Sequence, residues 1–126
     1  MKNSDGLRNP RSVVIVCVAL IAFASLPLLT RARATSTSVN IINNSSREIR
    51  NVYSSHVDRD DWSNDLLSNG SIAAGQSANV TNINCDSQQV KIIAEDQDGC
   101  FASTVITCDQ NSSWTITNDT ARDCGY

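Results

Sequence analysis

The sequence predicts an all-β fold: a small antiparallel β-sandwich of about six strands with one short helical turn and two disulfides, preceded by an N-terminal signal helix. Three observations lead there. Short β-type runs recur between clusters of Asn, Asp, Ser and Gly, the spacing expected of a sandwich. Apolar and polar residues alternate within two of those runs. Four cysteines fall in the last third of the chain, the usual staples of a small exported domain.

The first element is the export signal. Lys2, Arg8 and Arg11 precede a run from Ser12 to Leu29 that carries no charge, and Ala32-Arg33-Ala34 offers small residues at the positions a signal peptidase reads. Residues 1–34 are therefore expected to be a secretory signal of the Sec type, and residues 35–126 one mature domain. The protein is then secreted or held in the periplasm or cell envelope, and meets a membrane only through this segment if it stays uncleaved as an anchor. A lipid on Cys17 is disfavoured, because that residue lies inside the apolar run with no small residues before it. Arg8 and Arg11 are not adjacent, so a twin-arginine route lacks its motif.

Removing the signal leaves Arg47, Arg50, Arg59, Lys91 and Arg122 against twelve carboxylates, a net charge of −7 where the full chain has −3. Nucleic acid is a poor partner for such a chain. Some ninety residues form one marginal core, which disulfides would reinforce.

The expected strands are Val39–Ile42, Arg47–Val57, Ser77–Ile83, Gln89–Glu95, Phe101–Thr107 and Ser113–Thr117. Val90, Ile92 and Ala94 alternate with Lys91 and Glu95, and Trp114 and Ile116 alternate with Thr115 and Thr117, the period of half-buried strands. Turns are expected at Asn43-Asn44-Ser45-Ser46, Asp98-Gly99 and Asp109-Gln110-Asn111. Between the second and third strands, Asp60-Asp61-Trp62-Ser63-Asn64-Asp65-Leu66-Leu67 has acidic N-cap residues, Trp62 and Leu66 four apart, and Asn69-Gly70 as a stop, which predicts a single helical turn.

If each strand crosses the domain once, successive connections alternate between its two ends. Cys85 and Cys108 then share one end and Cys100 and Cys124 the other. The remaining pairings would span a strand of about seven residues, roughly 23 Å, far beyond disulfide reach. The expected bridges are Cys85–Cys108 and Cys100–Cys124. The same alternation gathers Asp58, Asp60, Asp61 and Asp65 with Asp96 and Asp98 at one end. Clustered carboxylates on loops suit Ca²⁺, so these six residues are the candidate metal ligands and Ca²⁺ the one candidate cofactor. Neither acidic loop completes an EF-hand, and the competing role for the same residues is capping and hairpin chemistry.

Catalysis finds little support. The sole histidine, His56, sits on an expected strand with no motif placing a Ser or Cys beside it, so no catalytic residue is assigned and the chain is read as a non-enzyme. Asn-x-Ser/Thr occurs at Asn43, Asn44, Asn69, Asn79, Asn111 and Asn118 and is consistent with loops facing water.

Asn43-Asn44-Ser45-Ser46, Val52-Tyr53, Asp60-Asp61-Trp62-x-x-Asp65-x-Leu67, Gly75-Gln76-Ser77, Val90-Lys91-Ile92-Ile93 and Glu95-Asp96-x-Asp98-Gly99-Cys100 together resemble a family of small exported bacterial proteins of uncharacterised function. The resemblance spans most of the expected mature chain and implies export and fold, not activity. Similar sequences sometimes carry the label argininosuccinate lyase, which this chain does not support: that enzyme is far longer, mainly helical and tetrameric. Two functional expectations follow. One is a secreted or envelope binding or structural module of unknown ligand, binding Ca²⁺ at its acidic end. The alternative is a small secreted inhibitor or effector that contacts a partner protein through the Trp62 loop. A buried Trp62 would be a plug of the sandwich; an exposed one would be a contact residue.

Overall fold

The computed structural model describes residues 36–125, and the expected signal segment, with Cys17, lies outside them. All six expected strands are present: β1 (Ser36–Asn44), β2 (Ile49–Ser55), β3 (Ser77–Asn84), β4 (Gln89–Asp96), β5 (Phe101–Thr107) and β6 (Ser112–Thr117). They form two three-stranded sheets, ordered β3-β1-β6 and β2-β4-β5. Every pairing is antiparallel except β1 with β6, which is parallel and departs from the all-antiparallel expectation.

The inner faces follow from period-two alternation. β1 turns Val39, Ile41 and Asn43 inward, β4 turns Val90, Ile92 and Ala94, and these meet Val52, Val80, Ile83, Ile106 and Ile116 in one core. Val80 and Ile83 are three apart yet both buried. Asn82 between them takes a left-handed φ of 57°, which Asn tolerates, and the β1–β3 register shifts opposite it, between Thr37 and Val39.

Asn43 is a polar side chain on this inward face, with 0% exposure. Its Nδ2 donates to the carbonyls of Arg47 (2.7 Å) and Ile72 (2.9 Å), and its Oδ1 accepts from the Ser45 hydroxyl (2.7 Å). Its backbone binds Gln76 and Gly75. Asn43 therefore continues the inward face of β1 and fastens two loops, so it is neither a water-facing turn residue nor an accessible glycan acceptor. Asn79 also lies on a strand, exposed on β3.

The expected alternation of ends fails at one connection. The Cys85–Cys108 bridge sets the end of β3 beside the end of β5, level with the start of β4, so β3 and β4 reverse. β2 is antiparallel to β4, so β2 and β3 point the same way and the chain between them must travel back along the domain. It does so beside β2, in extended form, and the expected helical turn at Asp60–Leu67 is absent. Ser63 N–H donates to Ser54 O at 2.8 Å and Leu66 N–H to Val52 O at 2.7 Å. In return, side chains accept the outward N–H groups of the strand: Asp61 Oδ1 from His56 (2.9 Å), Ser63 Oγ from Ser54 (2.9 Å) and Asp65 Oδ1 from Val52 (2.9 Å). Residues 61, 63 and 65 thus match 56, 54 and 52 as an antiparallel ladder made half of side chains. Further on, Ile72 pairs with Ile49. The outer edge of β2 is closed, which removes a template for stray strand pairing.

Both disulfides join the expected residues, Cys85–Cys108 with a Cα separation of 5.8 Å and Cys100–Cys124 with 4.2 Å. The pairing survives the failed alternation because it depends only on β3 to β6, which do reverse at each turn. Each bridge closes a loop with a sequence separation of 23 or 24, contributing about 3 kcal/mol in the chain-entropy picture. Two disulfides in so small a domain fit an oxidising compartment.

Candidate functional site

The outward face of the β2-β4-β5 sheet carries Tyr53 opposite Ile93 and Ser103, Asn51 opposite Glu95 and Phe101, and Ser55 opposite Lys91 and Val105. Trp62 is delivered onto this face by the edge segment: its neighbours Asp61 and Ser63 are tied to β2, and its indole is left to fold over the sheet. The ring centroid lies 5.4 Å from that of Tyr53 and 5.2 Å from that of Phe101, the second in edge-on geometry. Tyr53 and Phe101 stand on the two outer strands, so an indole touching both must lie across β4. This accounts for Ile93, which faces away from the main core yet is only 2% exposed. Trp62 itself keeps 42% of its surface open, and nearby Val105 keeps 44%. A plug buried in the sandwich would not.

Polar groups frame these rings. Tyr53 donates its hydroxyl to Glu95 Oε2 at 3.1 Å, and Lys91 Nζ donates to Asp60 Oδ1 at 2.9 Å. Burial, the Glu95 hydrogen bond and the charges of Glu95 and Asp65 raise the Tyr53 pKa, so the phenol stays neutral and a donor at physiological pH. The site is an aromatic and aliphatic surface with charged margins.

No family model matches the chain, and no curated protein does. Among solved structures, an NMR structure of a protein from Eubacterium rectale is similar over 66% of this chain and 76% of that one, with 8% identity and a TM-score of 0.40. That likeness is too slight to bear on function.

The six carboxylates expected to share a cation are spread along the domain, with Asp65 beside Val52 in the middle of β2 and the others at its two ends. Asp96 and Asp98 stand at the β4–β5 turn, level with the start of β2, whereas Asp58, Asp60 and Asp61 follow the end of β2. The reason is the returning β2–β3 connection, which moves the second group to the far end. Each set also faces cations or donors of the chain itself. Asp96 Oδ2 meets Arg122 at 2.6 Å and Arg47 at 3.2 Å, and Asp98 meets Arg122 at 3.5 Å. Asp58 lies 3.9 Å from Arg59, Asp60 takes Lys91, Asp61 takes His56, and Asp65 accepts the N–H groups of Val52 and Leu67. Among the described residues no three His, Cys, Asp or Glu side chains converge as a metal group.

His56, given no catalytic role by the sequence, is a junction between two loops. It follows β2, where both ring nitrogens face carboxylates: Nδ1 bonds Asp61, and Nε2 lies 2.7 Å from Asp86 on the β3–β4 turn. No spacing rule links His56 to Asp86, thirty residues later. The hydrogen bonds that the imidazole donates to Asp86 and Asp61 raise the His56 pKa above its ordinary 6.5, against partial burial and the nearby Arg59. Asp61 is held down at about 2, chiefly by the His56 N–H, with the imidazole and Ser55 adding to it. A raised folded pKa contributes stability in full below 6.5 and loses it as pH rises through the folded value. The depressed Asp61 contributes in full above the ordinary carboxylate range and loses that contribution as pH falls from 3.8 to about 2. The Tm of the native protein is therefore expected to decline as pH is raised from about 6 to 9, while His56→Gln should flatten that slope. Parallel slopes for the two proteins would refute the assignment.

Proposed function

We propose that this chain is an exported binding module that engages a partner protein through the Trp62 face of its second sheet. The observation that carries the reading is the state of Trp62. It is held in place on two rings and by bonds on both sides, yet nearly half open to solvent. Rigid, half-exposed aromatics give large contact area at little ordering cost, which is why they recur as binding anchors. The charged run-in of residues 1–34, the two bridges and the acidic mature domain support a protein that works outside the cytosol after its signal is removed. No step of chemistry is assigned to the site, and the reading as a non-enzyme is retained.

Stability and contact are separable by experiment. Trp62→Ala removes two aromatic contacts and part of the cover over Ile93, an expected loss of about 1–2 kcal/mol in urea unfolding, so the fold should persist. A photo-crosslinking residue placed at Trp62 in the exporting cells should capture a defined protein, while one at Asn79 on the opposite sheet should not. Equal capture at both positions, or global unfolding by Trp62→Ala, would return Trp62 to a structural role.

A further inference from the structure

The two edges of the second sheet are treated in opposite ways. That of β2 is sealed by residues 61–65 and by Ile72, as described above. That of β5 is covered only at its start, where Phe101 and Asp123 exchange bonds of 2.8 Å in both directions. This exchange shows that Phe101 directs its backbone away from β4, so by alternation Ser103, Val105 and Thr107 do the same. The even-numbered residues before and after confirm the phase, with Cys100 O accepting from Asp96 and Cys108 N–H donating to Gln88 O. Among the described residues, the outward N–H and C=O groups of Ser103, Val105 and Thr107 have no backbone or side-chain partner.

β5, with the sequence Phe-Ala-Ser-Thr-Val-Ile-Thr, also lacks the usual protections of an edge. It contains no charge and no proline, and it bears β-branched residues and an exposed Val105. Charge appears instead at both ends of the strand: exposed Asp98 and Asp123 flank its start, the former shared with Arg122, and exposed Asp109 follows its end. Glu95 stands beside Phe101 on the aromatic face.

We propose that the open edge of β5 takes an added strand from the partner, an extended segment with β-branched or aromatic residues at alternate positions and Lys or Arg at its two ends. The inference rests on the reading of the Trp62 face as a contact surface and specifies what that surface holds. Backbone bonds to Ser103, Val105 and Thr107 supply the affinity common to strand addition. Alternate side chains of the incoming strand land beside Ser103 and Val105, next to the surface that Trp62 crowns, and supply selectivity. The terminal cations meet Asp98 and Asp123 at one end of the open stretch Ser103–Thr107 and Asp109 at the other, five residues or roughly 17 Å of strand between them. A second copy of this chain is the less suitable occupant, since its mature domain brings the same charge of −7 and no cation on its own β5.

The test uses the disulfide-intact mature domain and a random dodecapeptide phage library. Enriched peptides should be cationic at both ends with alternating β-branched residues. N-methylation of a synthetic binder at one set of alternate residues should weaken it at least tenfold, and at the other set leave it within twofold, since only one set faces β5. Val105→Lys, on an exposed site that tolerates a charge, should weaken binding tenfold or more with Tm unchanged. Peptides that need Trp62 but show no two-residue periodicity on methylation would overturn strand addition while leaving the Trp62 face in place. No enrichment, or binders indifferent to both Trp62→Ala and Val105→Lys, would overturn both.

Discussion

Replacing Asn43 by alanine is expected to remove about 2–4 kcal/mol of stability, an effect read as a lower urea midpoint at an unchanged m value. The side chain is fully enclosed and makes three short bonds. Its loss takes from the Arg47 and Ile72 carbonyls one of their two donors, the Ser45 hydroxyl and the Ile49 N–H remaining, and from the Ser45 hydroxyl its shorter acceptor. Each buried bond lost costs about 0.5–1.5 kcal/mol net. A cavity adds to that. Asn43→Asp should do no better despite its matching shape, because it cannot donate to Arg47 O and Ile72 O and places a charge in the core. A change below 1 kcal/mol for either variant would show that water replaces the amide, contrary to a sealed site.

Asp96→Ala should be comparably severe, at about 3 kcal/mol or more. The carboxylate is 4% exposed and lies between Arg122 and Arg47, whose side chains are 28% and 15% exposed. It also accepts the N–H groups of Asp98 (2.9 Å) and Cys100 (3.1 Å), which shape the β4–β5 turn. Removing one member of a buried ionic group strands the others, a far larger effect than deletion of a surface pair. Burial raises the Asp96 pKa, but the Arg122 hydrogen bond and the two N–H groups outweigh it, so the net direction is down. A depressed carboxylate contributes stability above its unfolded value of 3.8, and loses it as pH falls through the folded value. Acid titration should accordingly unfold the native protein in a transition below pH 3.8 to which Asp96 contributes, and the Asp96→Ala variant should show less acid dependence from its lower starting point. An unchanged acid midpoint after correction for stability would place the titrating group elsewhere.

The strands were legible because alternation survives in sequence: Val90, Ile92 and Ala94 lie on the core side as their spacing requires. The same rule, carried two residues past Ile41, points at Asn43, but the Asn-Asn-Ser-Ser run reads as a turn and hides it. The segment at Asp61–Asp65 was misread for a physical reason. An aspartate that caps the first N–H groups of a helix and one that caps the N–H groups of a strand edge offer the same acceptor. Which backbone presents the donors is decided by tertiary structure. Trp62 and Leu66 at a spacing of four completed the helical pattern by coincidence. That one error displaced Asp58, Asp60 and Asp61 to the wrong end and joined them on paper to Asp96 and Asp98. Tyr53 and Phe101 become partners of Trp62 only through the strand register, and His56 meets Asp86 only across two loops; neither relation has a local signature.

The parallel pairing of β1 with β6 sets when the domain can form. Val39 aligns with Ser112 and Asn44 with Thr117, and hydrogen bonds join Thr37 to Gln110 and Ser38 to Asn111 across a separation of 73 residues. The first strand therefore waits for the last, and no N-terminal fragment can complete the first sheet. Such distant contacts slow folding. Under the export proposed above, that delay keeps the polypeptide threadable until its C-terminal strand has emerged.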